Sequence, residues 1–429
     1  VVVRIINRGQ KLEPNKMIAI SLIQRMLWVC QYPGFSKNLI GPYDNVGVIQ
    51  GRIPGSAACQ VFYPASTARG AKTMPYFRAR AIPGLAQYSR MDPDLFQFLS
   101  MKPHPCHVDA AIVAGEEFPV VVFSHGLGGC LEMYTDICQQ VASSGMIVVA
   151  LEHEDGSGCF AETADGEEIR YKSPSSEPYS RSKVVNFRKG FMDHRAREVI
   201  KTVEFVLGGW KDKTILLDDL SSNGAYETTT DIWKQVLAKV DTQKGVALFG
   251  HSFGGASMVY TIQQDGQPER NLMDVVNSVT MLDPWAFSLD KKRIELGSQS
   301  SVPFCSILSE SWLTNAETEE ILKLHVNNPE NLYYMPRSTH ASFSDSPWWL
   351  PRVITRKFGL RGQNEARHET IAASAKGCIN HMKASIRSYQ EGTKNEIAKD
   401  TSDLTPLLQF PYGTTKLKLP THNSVAHKT

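Results

Sequence analysis

Val246-Ala-Leu-Phe249 runs directly into Gly250-His251-Ser252-Phe253-Gly254, and a helix-forming stretch, Ala256-Ser-Met-Val-Tyr260, follows at once. A short, continuous apolar run closed by a glycine turn reads as a strand buried on both faces. A serine flanked by two glycines between strand and helix requires a very tight turn. Side chains at Gly250 and Gly254 would collide with neighbouring backbone, and Ser252 must take a strained backbone angle that projects its hydroxyl off the sheet. The five-residue motif alone is weak, since Gly-x-Ser-x-Gly arises by chance in about one chain in seven of this length. Its strand–turn–helix setting is what raises Ser252 from an incidental turn residue to a candidate nucleophile.

The surrounding chain has the matching alternation. Pro119-Val-Val-Val-Phe123 is a strand-length apolar run followed by the turn Gly126-Leu127-Gly128-Gly129. Tyr134, Ile137, Cys138 and Val141 then recur at helical spacing, Gly145 is placed to end that helix, and Met146-Ile-Val-Val-Ala150 is the next strand. A polar excursion over 156–182, a helix over 184–207 and a second polar insertion over 211–230 precede the serine turn. Strands are expected over 278–282, 302–308 and 331–335, with a closing helix near 366–388. Strands alternating with helices in this way predict a mostly parallel central sheet with helices on both faces. We read residues 1–40 as an N-terminal extension, 41–388 as the main domain and 389–429 as a weakly ordered tail.

A serine hydroxyl needs an adjacent base to act as a nucleophile near neutral pH. Asp283 immediately follows the strand 278–282, and Pro284 turns the chain behind it. Among the later histidines, His340 is placed in a loop just beyond a strand. His325, His368 and His381 fall in helical stretches, and His422 and His427 lie in the tail. Serine, acid and histidine in this order, each after a strand, give the arrangement of the α/β-hydrolase fold. There His340 Nε2 would take the Ser252 proton and Asp283 would hold the imidazole tautomer. Two backbone N–H groups should face the developing oxyanion, from Phe253 and from Leu127 in the earlier glycine turn. His125 reads as structural, and His251 as a substrate contact beside the nucleophile.

Composition excludes several other classes. A formal net charge of +2 and no basic block argue against nucleic acid. None of the eight cysteines forms a Cys-x-x-Cys pair, and His104-Pro105-Cys106-His107 reads as a proline-bounded loop, so neither a metal nor any other cofactor is expected. No Asn-x-Ser/Thr sequon is present. Met17–Cys30 is too short, and too interrupted by Gln24 and Arg25, to span a bilayer; it reads as an interfacial or core-packed helix. The chain begins without Met, so its compartment stays open, with a cytoplasmic or membrane-associated placement favoured over secretion.

With these residues in place, the sequence resembles the platelet-activating-factor acetylhydrolases, the plasma and type II intracellular lipases, from about Gly41 to Met382. The resemblance rests on Gly41-Pro42-Tyr43, Val121-Val-Phe-Ser-His-Gly-Leu-Gly128, Gly250-His-Ser-Phe-Gly-Gly-Ala256, Leu282-Asp-Pro-Trp285 and Ser338-Thr-His-Ala-Ser-Phe343. It implies calcium-independent hydrolysis of short or oxidised sn-2 acyl esters of phospholipids, as by a 1-alkyl-2-acetylglycerophosphocholine esterase. It also implies Ser252, Asp283 and His340 as the triad, Leu127 and Phe253 as oxyanion donors, and Trp285 lining the acyl pocket. Glu154-Asp155-Gly156, Pro284 and the two polar insertions depart from the family pattern.

Such a substrate predicts contact with a membrane or lipoprotein surface. Asp92-Pro93 followed by Leu95, Phe96, Phe98, Leu99 and Met101, and Pro347-Trp348-Trp349-Leu350, are candidates for a lipid-facing rim, with core packing as the alternative. Competing functional readings are a general carboxylesterase or polyester-cleaving hydrolase, and a non-catalytic hydrolase-like binding protein. An intact Ser–Asp–His set argues against the last.

Overall fold

In Val120–Ser124 the side chains alternate between two apolar layers. Val120 and Val122 pack on one side of the sheet, Val121 and Phe123 on the other. Ile147–Glu152 repeats the pattern, with Ile147, Val149 and Leu151 facing one layer and Val148 and Ala150 the other. A strand with no polar face must be covered on both sides. These observations come from a computed structural model that describes residues 34–36, 38–66, 72–174, 180–211, 230–264, 272–314, 317–357, 359–362 and 369–392, with residue 22 and the pair 415–416.

The strands are β1 (Val46–Arg52), β2 (Ala58–Pro64), β3 (His107–Val108), β4 (Val120–Ser124), β5 (Ile147–Glu152), β6 (Phe160–Glu162), β7 (Glu168–Arg170), β8 (Val246–His251), β9 (Val276–Leu282), β10 (Phe304–Ser309), β11 (Leu332–Met335) and β12 (Thr415–Lys416). Ten of them form one sheet, in the order β12-β11-β10-β9-β8-β4-β5-β2-β1-β3. The run from β5 through β4, β8, β9 and β10 to β11 is parallel, whereas β2 pairs antiparallel with both β5 and β1. This is the α/β-hydrolase fold expected from the sequence. Helices Thr135–Ser143 and Glu369–Glu391 cover one face; Arg181–Glu204 and Phe253–Thr261 cover the other. Gly145, at φ 91°, ends the first of these where the sequence places the stop.

From β4 the chain winds outward to β5 and then returns past β4 to form β8, so β4 and β8 are neighbours with opposite onward directions. Ser124 pairs with Gly250 in this register. Beyond their carboxyl ends lies the switch-point crevice where open α/β sheets place their ligands.

Several expectations need correction. Trp348 and Trp349 are 2% and 5% exposed, so they are not a lipid-facing rim. Trp349 packs edge-on against Phe77 (5.9 Å) and Phe96 (6.4 Å) and donates from Nε1 to Tyr76 Oη at 2.9 Å. Phe96, Phe98 and Leu99 are buried in the same cluster, and of the candidate rim residues near 95–101 Met101 is the one that stands out, at 61% exposure. Trp349→Ala should therefore cost about 3–5 kcal/mol of stability, read by denaturant titration. Weakened vesicle binding with unchanged stability would restore the lipid-facing reading. The polar excursion carries a small hairpin, β6–β7, and β1 and β2 add an antiparallel extension to the sheet. The Met17–Cys30 segment, apart from Leu22, and most of the tail lie outside the described residues. No helix among the described residues is long and apolar enough to cross a membrane.

Candidate active site

The serine turn has the geometry its glycines predict. Ser252 sits at φ 56°, ψ −120°, a conformation an L-residue holds only under constraint. A Cβ on Gly250 would fall 2.5 Å from the carbonyl carbon of Gly254, and one on Gly254 would fall 2.1 Å from the Ser124 carbonyl oxygen. The turn is clamped to the next strand: Ser252 N–H donates to Leu282 O at 2.9 Å, and Trp285 N–H donates to Ser252 O at 2.9 Å.

His340 and Asp283, predicted from separate loops, meet at this serine. Ser252 Oγ donates to His340 Nε2 at 2.9 Å, and His340 Nδ1 donates to Asp283 Oδ2 at 3.0 Å. Asp283 is fully buried just after β9, at φ 41°. It also accepts from Ser309 N on Oδ1 and from Ser309 Oγ on Oδ2, both at 2.6 Å. The His340 ring lies flat on the Trp312 indole (centroids 4.1 Å apart, planes at 12°), which fixes its plane.

The turn after β4 faces the same point. A Cβ on Gly126 would lie 3.0 Å from Ser252 Cβ. Gly126 N–H donates to Tyr134 Oη (3.1 Å), Gly128 N–H to Ser157 O (2.8 Å) and Gly129 N–H to Gly126 O (3.1 Å). Among the described residues, Leu127 N–H is the one amide of this turn that no protein group takes up. Phe253 opens its helix, so its N–H has no partner one helical turn earlier.

The structure reassigns His251. It is 4% exposed and both ring nitrogens are engaged within the protein: Nδ1 accepts from Tyr134 Oη at 2.8 Å, and Nε2 donates to the His340 carbonyl oxygen at 3.1 Å. Burial and the neighbouring His340 ring hold it well below the usual histidine range, so it is neutral. His251 is therefore a tie between the glycine turn and the histidine loop, not the expected substrate contact. Donor atoms of His251, Asp283 and His340 lie within 4.8 Å of one another, a spacing that could hold a metal. Each is committed to a hydrogen bond within the protein. Trp285 is partly exposed and packs edge-on against Phe253 at 5.9 Å.

Behind the glycine turn lies a buried polar network that sequence reasoning misses. Arg195, fully buried, donates from Nε to Asp155 (3.0 Å) and from Nη1 to the His125 carbonyl (2.6 Å) and Ser124 Oγ (3.1 Å). Asp155, one of the acidic departures after His153, thus meets its positive partner from helix Arg181–Glu204; the other, Glu154, pairs with Arg52. Ser124 Oγ lies 2.7 Å from His153 Nε2, and His153 Nδ1 lies 2.6 Å from Glu198 Oε2. This second Ser–His–acid chain is sealed, with Ser124 and His153 both at 0% exposure. His125 is structural, as expected, its ring buried and pushed down to about 3 by desolvation and then by Arg195. His104 accepts from Cys106 N at 3.1 Å within the proline-bounded loop.

The comparisons with known proteins agree with this architecture. The family model described as platelet-activating factor acetylhydrolase, isoform II, matches residues 47–403. The platelet-activating factor acetylhydrolase of Cavia porcellus is 28% identical over 268 residues, 60% of this chain and 56% of that protein. The Gallus gallus protein of the same name is 26% identical over 298 residues, 65% of this chain and 66% of its own. The matched region thus spans between about half and two thirds of these relatives' lengths. Among solved structures, a ferulic acid esterase from Streptomyces cinnamoneus superposes with a TM-score of 0.51 at 17% identity, covering 87% of this chain and 96% of that one; at this identity the likeness speaks for the fold. With the matched model covering most of the chain, this protein belongs to the platelet-activating factor acetylhydrolase, isoform II, family.

Proposed function

We propose that the chain is a serine hydrolase that cleaves a short or oxidised sn-2 acyl ester of phospholipids such as platelet-activating factor, releasing the acid and the lyso-lipid. The observation that carries this reading is the unbroken Ser252–His340–Asp283 hydrogen-bond chain on a strained elbow, in a member of this family.

In the proposed mechanism Ser252 Oγ attacks the ester carbonyl while His340 Nε2 takes its proton, and the buried Asp283 stabilises the imidazolium. Leu127 and Phe253 N–H groups bind the oxyanion. Collapse of the tetrahedral intermediate breaks the bond to the glycerol oxygen, and His340 returns the proton to it. Water, activated by the same nitrogen, then hydrolyses the acyl-enzyme. The nucleophile is activated by His340, so the reaction is proposed to be independent of calcium. Trp285, beside Phe253, is proposed to line the acyl pocket.

The test is product analysis, in excess chelator, on phosphatidylcholines differing only at sn-2, alongside nitrophenyl acetate. Release of sn-2 acetate well ahead of palmitate is expected. Turnover of nitrophenyl acetate without any phospholipid product would favour a general carboxylesterase. No covalent labelling by a fluorophosphonate would point to a binding protein.

A further inference from the structure

Helix Arg181–Glu204 carries two buried arginines in contrasting surroundings. Arg195 is saturated by Asp155, Ser124, Ser157 and the His125 carbonyl. Arg188 lies seven residues earlier, hence on the same helix face two turns away. It is 3% exposed, yet among the described residues its one hydrogen bond runs from Nη2 to the neutral Tyr171 Oη at 2.8 Å. Among the described residues its Nη1 has no partner and no carboxylate pairs with it. Four rings surround the guanidinium: Phe187 at 4.8 Å, Phe191 at 5.0 Å, Tyr171 at 5.5 Å and Phe253 at 5.9 Å. Aromatic faces attract a cation but leave its N–H donors unsatisfied, and a buried charge without a counter-ion is costly.

The position of this guanidinium gives the cost a purpose. Phe253 follows the nucleophile. On the other side, Tyr171 packs edge-on against Tyr88 at 4.8 Å, and Tyr88 Oη donates to the Leu127 carbonyl at 3.3 Å. Arg188 is thus one link in a run of contacts that begins at the Leu127 carbonyl, passes through Tyr88 and Tyr171, and ends at the ring of Phe253; Leu127 and Phe253 are the two proposed oxyanion donors. A guanidinium edge presents parallel N–H groups that match the oxygens of a carboxylate or phosphate.

We propose that Arg188 binds an anionic oxygen group of the substrate beside the oxyanion hole. The group is either the headgroup phosphate or a terminal carboxylate on an oxidised acyl chain. This rests on the phospholipid-ester reading, but its test separates the two. Arg188→Met and Arg188→Lys are assayed on nitrophenyl acetate, on nitrophenyl hemiglutarate (carboxylate, no phosphate) and on a short-chain phosphatidylcholine (phosphate, neutral acyl chains). In Arg188→Met the kcat/KM ratio of one anionic substrate to nitrophenyl acetate should fall roughly tenfold or more. Arg188→Lys should recover part of it. Loss confined to phosphatidylcholine assigns the phosphate, and loss confined to the hemiglutarate assigns the carboxylate. Arg188→Met should melt no lower than wild type, because an apolar side chain replaces an unpaired buried charge. Unchanged ratios, or a lower Tm with equal loss on all three substrates, would overturn the proposal in favour of a packing role. Should Arg188→Met not fold, Arg188→Gln reads the same ratios. A wild type that leaves phosphatidylcholine intact but turns over both nitrophenyl esters would sink the phospholipid reading while the hemiglutarate arm still tests Arg188.

Discussion

Ser252→Ala is expected to lower kcat on any ester substrate by about 10^4- to 10^6-fold and to abolish fluorophosphonate labelling. His340 Nε2 points at this hydroxyl and is otherwise uncommitted, whereas the other serine on a histidine, Ser124, is sealed behind the glycine turn. Alanine keeps the backbone requirement that serine already meets at φ 56°, so the variant should retain wild-type stability. Substrate binding and the two oxyanion donors remain, which is why a residual rate above water is expected. Mass spectrometry of the labelled protein and steady-state kinetics check this; a turnover rate near wild type would rule out Ser252 as the nucleophile.

Asp283→Asn should cost about 10^4-fold in kcat with little change in fold, and the structure supplies the reason. Asp283 Oδ1 faces the Ser309 amide, which can only donate, so an asparagine must turn its oxygen there. Its NH2 group then occupies the place of Oδ2, opposite His340 Nδ1. Facing a donor, Nδ1 becomes an acceptor and the proton moves to Nε2, the atom that must accept from Ser252. The imidazole keeps its position and loses the needed tautomer. Steady-state kinetics on a soluble ester, together with a Tm measurement, tests this. A loss below tenfold would mean that Asp283 does not control the tautomer.

The centre of the molecule is legible in the sequence because local rules and the site's demands coincide there. β4, β5 and β8 are uninterrupted apolar runs, and the serine turn carries glycines that no other residue could replace. Ser252, Asp283 and His340 each follow a strand, and that placement together with their chain order selects them. β1 is hidden because Gly47, Gln50 and Gly51 interrupt its apolar pattern. Those glycines admit rings from elsewhere: a Cβ would fall 2.4 Å from Tyr63 at Gly47 and 2.9 Å from Trp233 at Gly51. Trp348 and Trp349 read equally well as rim or core, since the rings that enclose Trp349 come from Phe77 and Phe96. His251 stands beside the nucleophile in sequence, but both its ring nitrogens are taken up within the protein, by Tyr134 and by the His340 carbonyl. Arg195 and Arg188 look like ordinary charges on a polar helix; a one-dimensional pattern carries no sign of what lies across from them.

The reversal of winding between β5 and β8 also bears on how such a molecule can diversify. The strands that hold the glycine turn and the serine are bonded to each other directly, so the surface connections between Glu152 and Val246 can change length without disturbing that pairing. Lengthening a surface connection costs only about 0.6 kcal/mol per doubling. That same stretch carries Arg188 and three of the four rings around its guanidinium, Tyr171, Phe187 and Phe191, the fourth being Phe253. On the proposed roles of these residues, insertions or drift in those connections would alter which ester is admitted while the atoms proposed to break the bond keep their register, so selectivity and chemistry would be separately heritable parts of one chain.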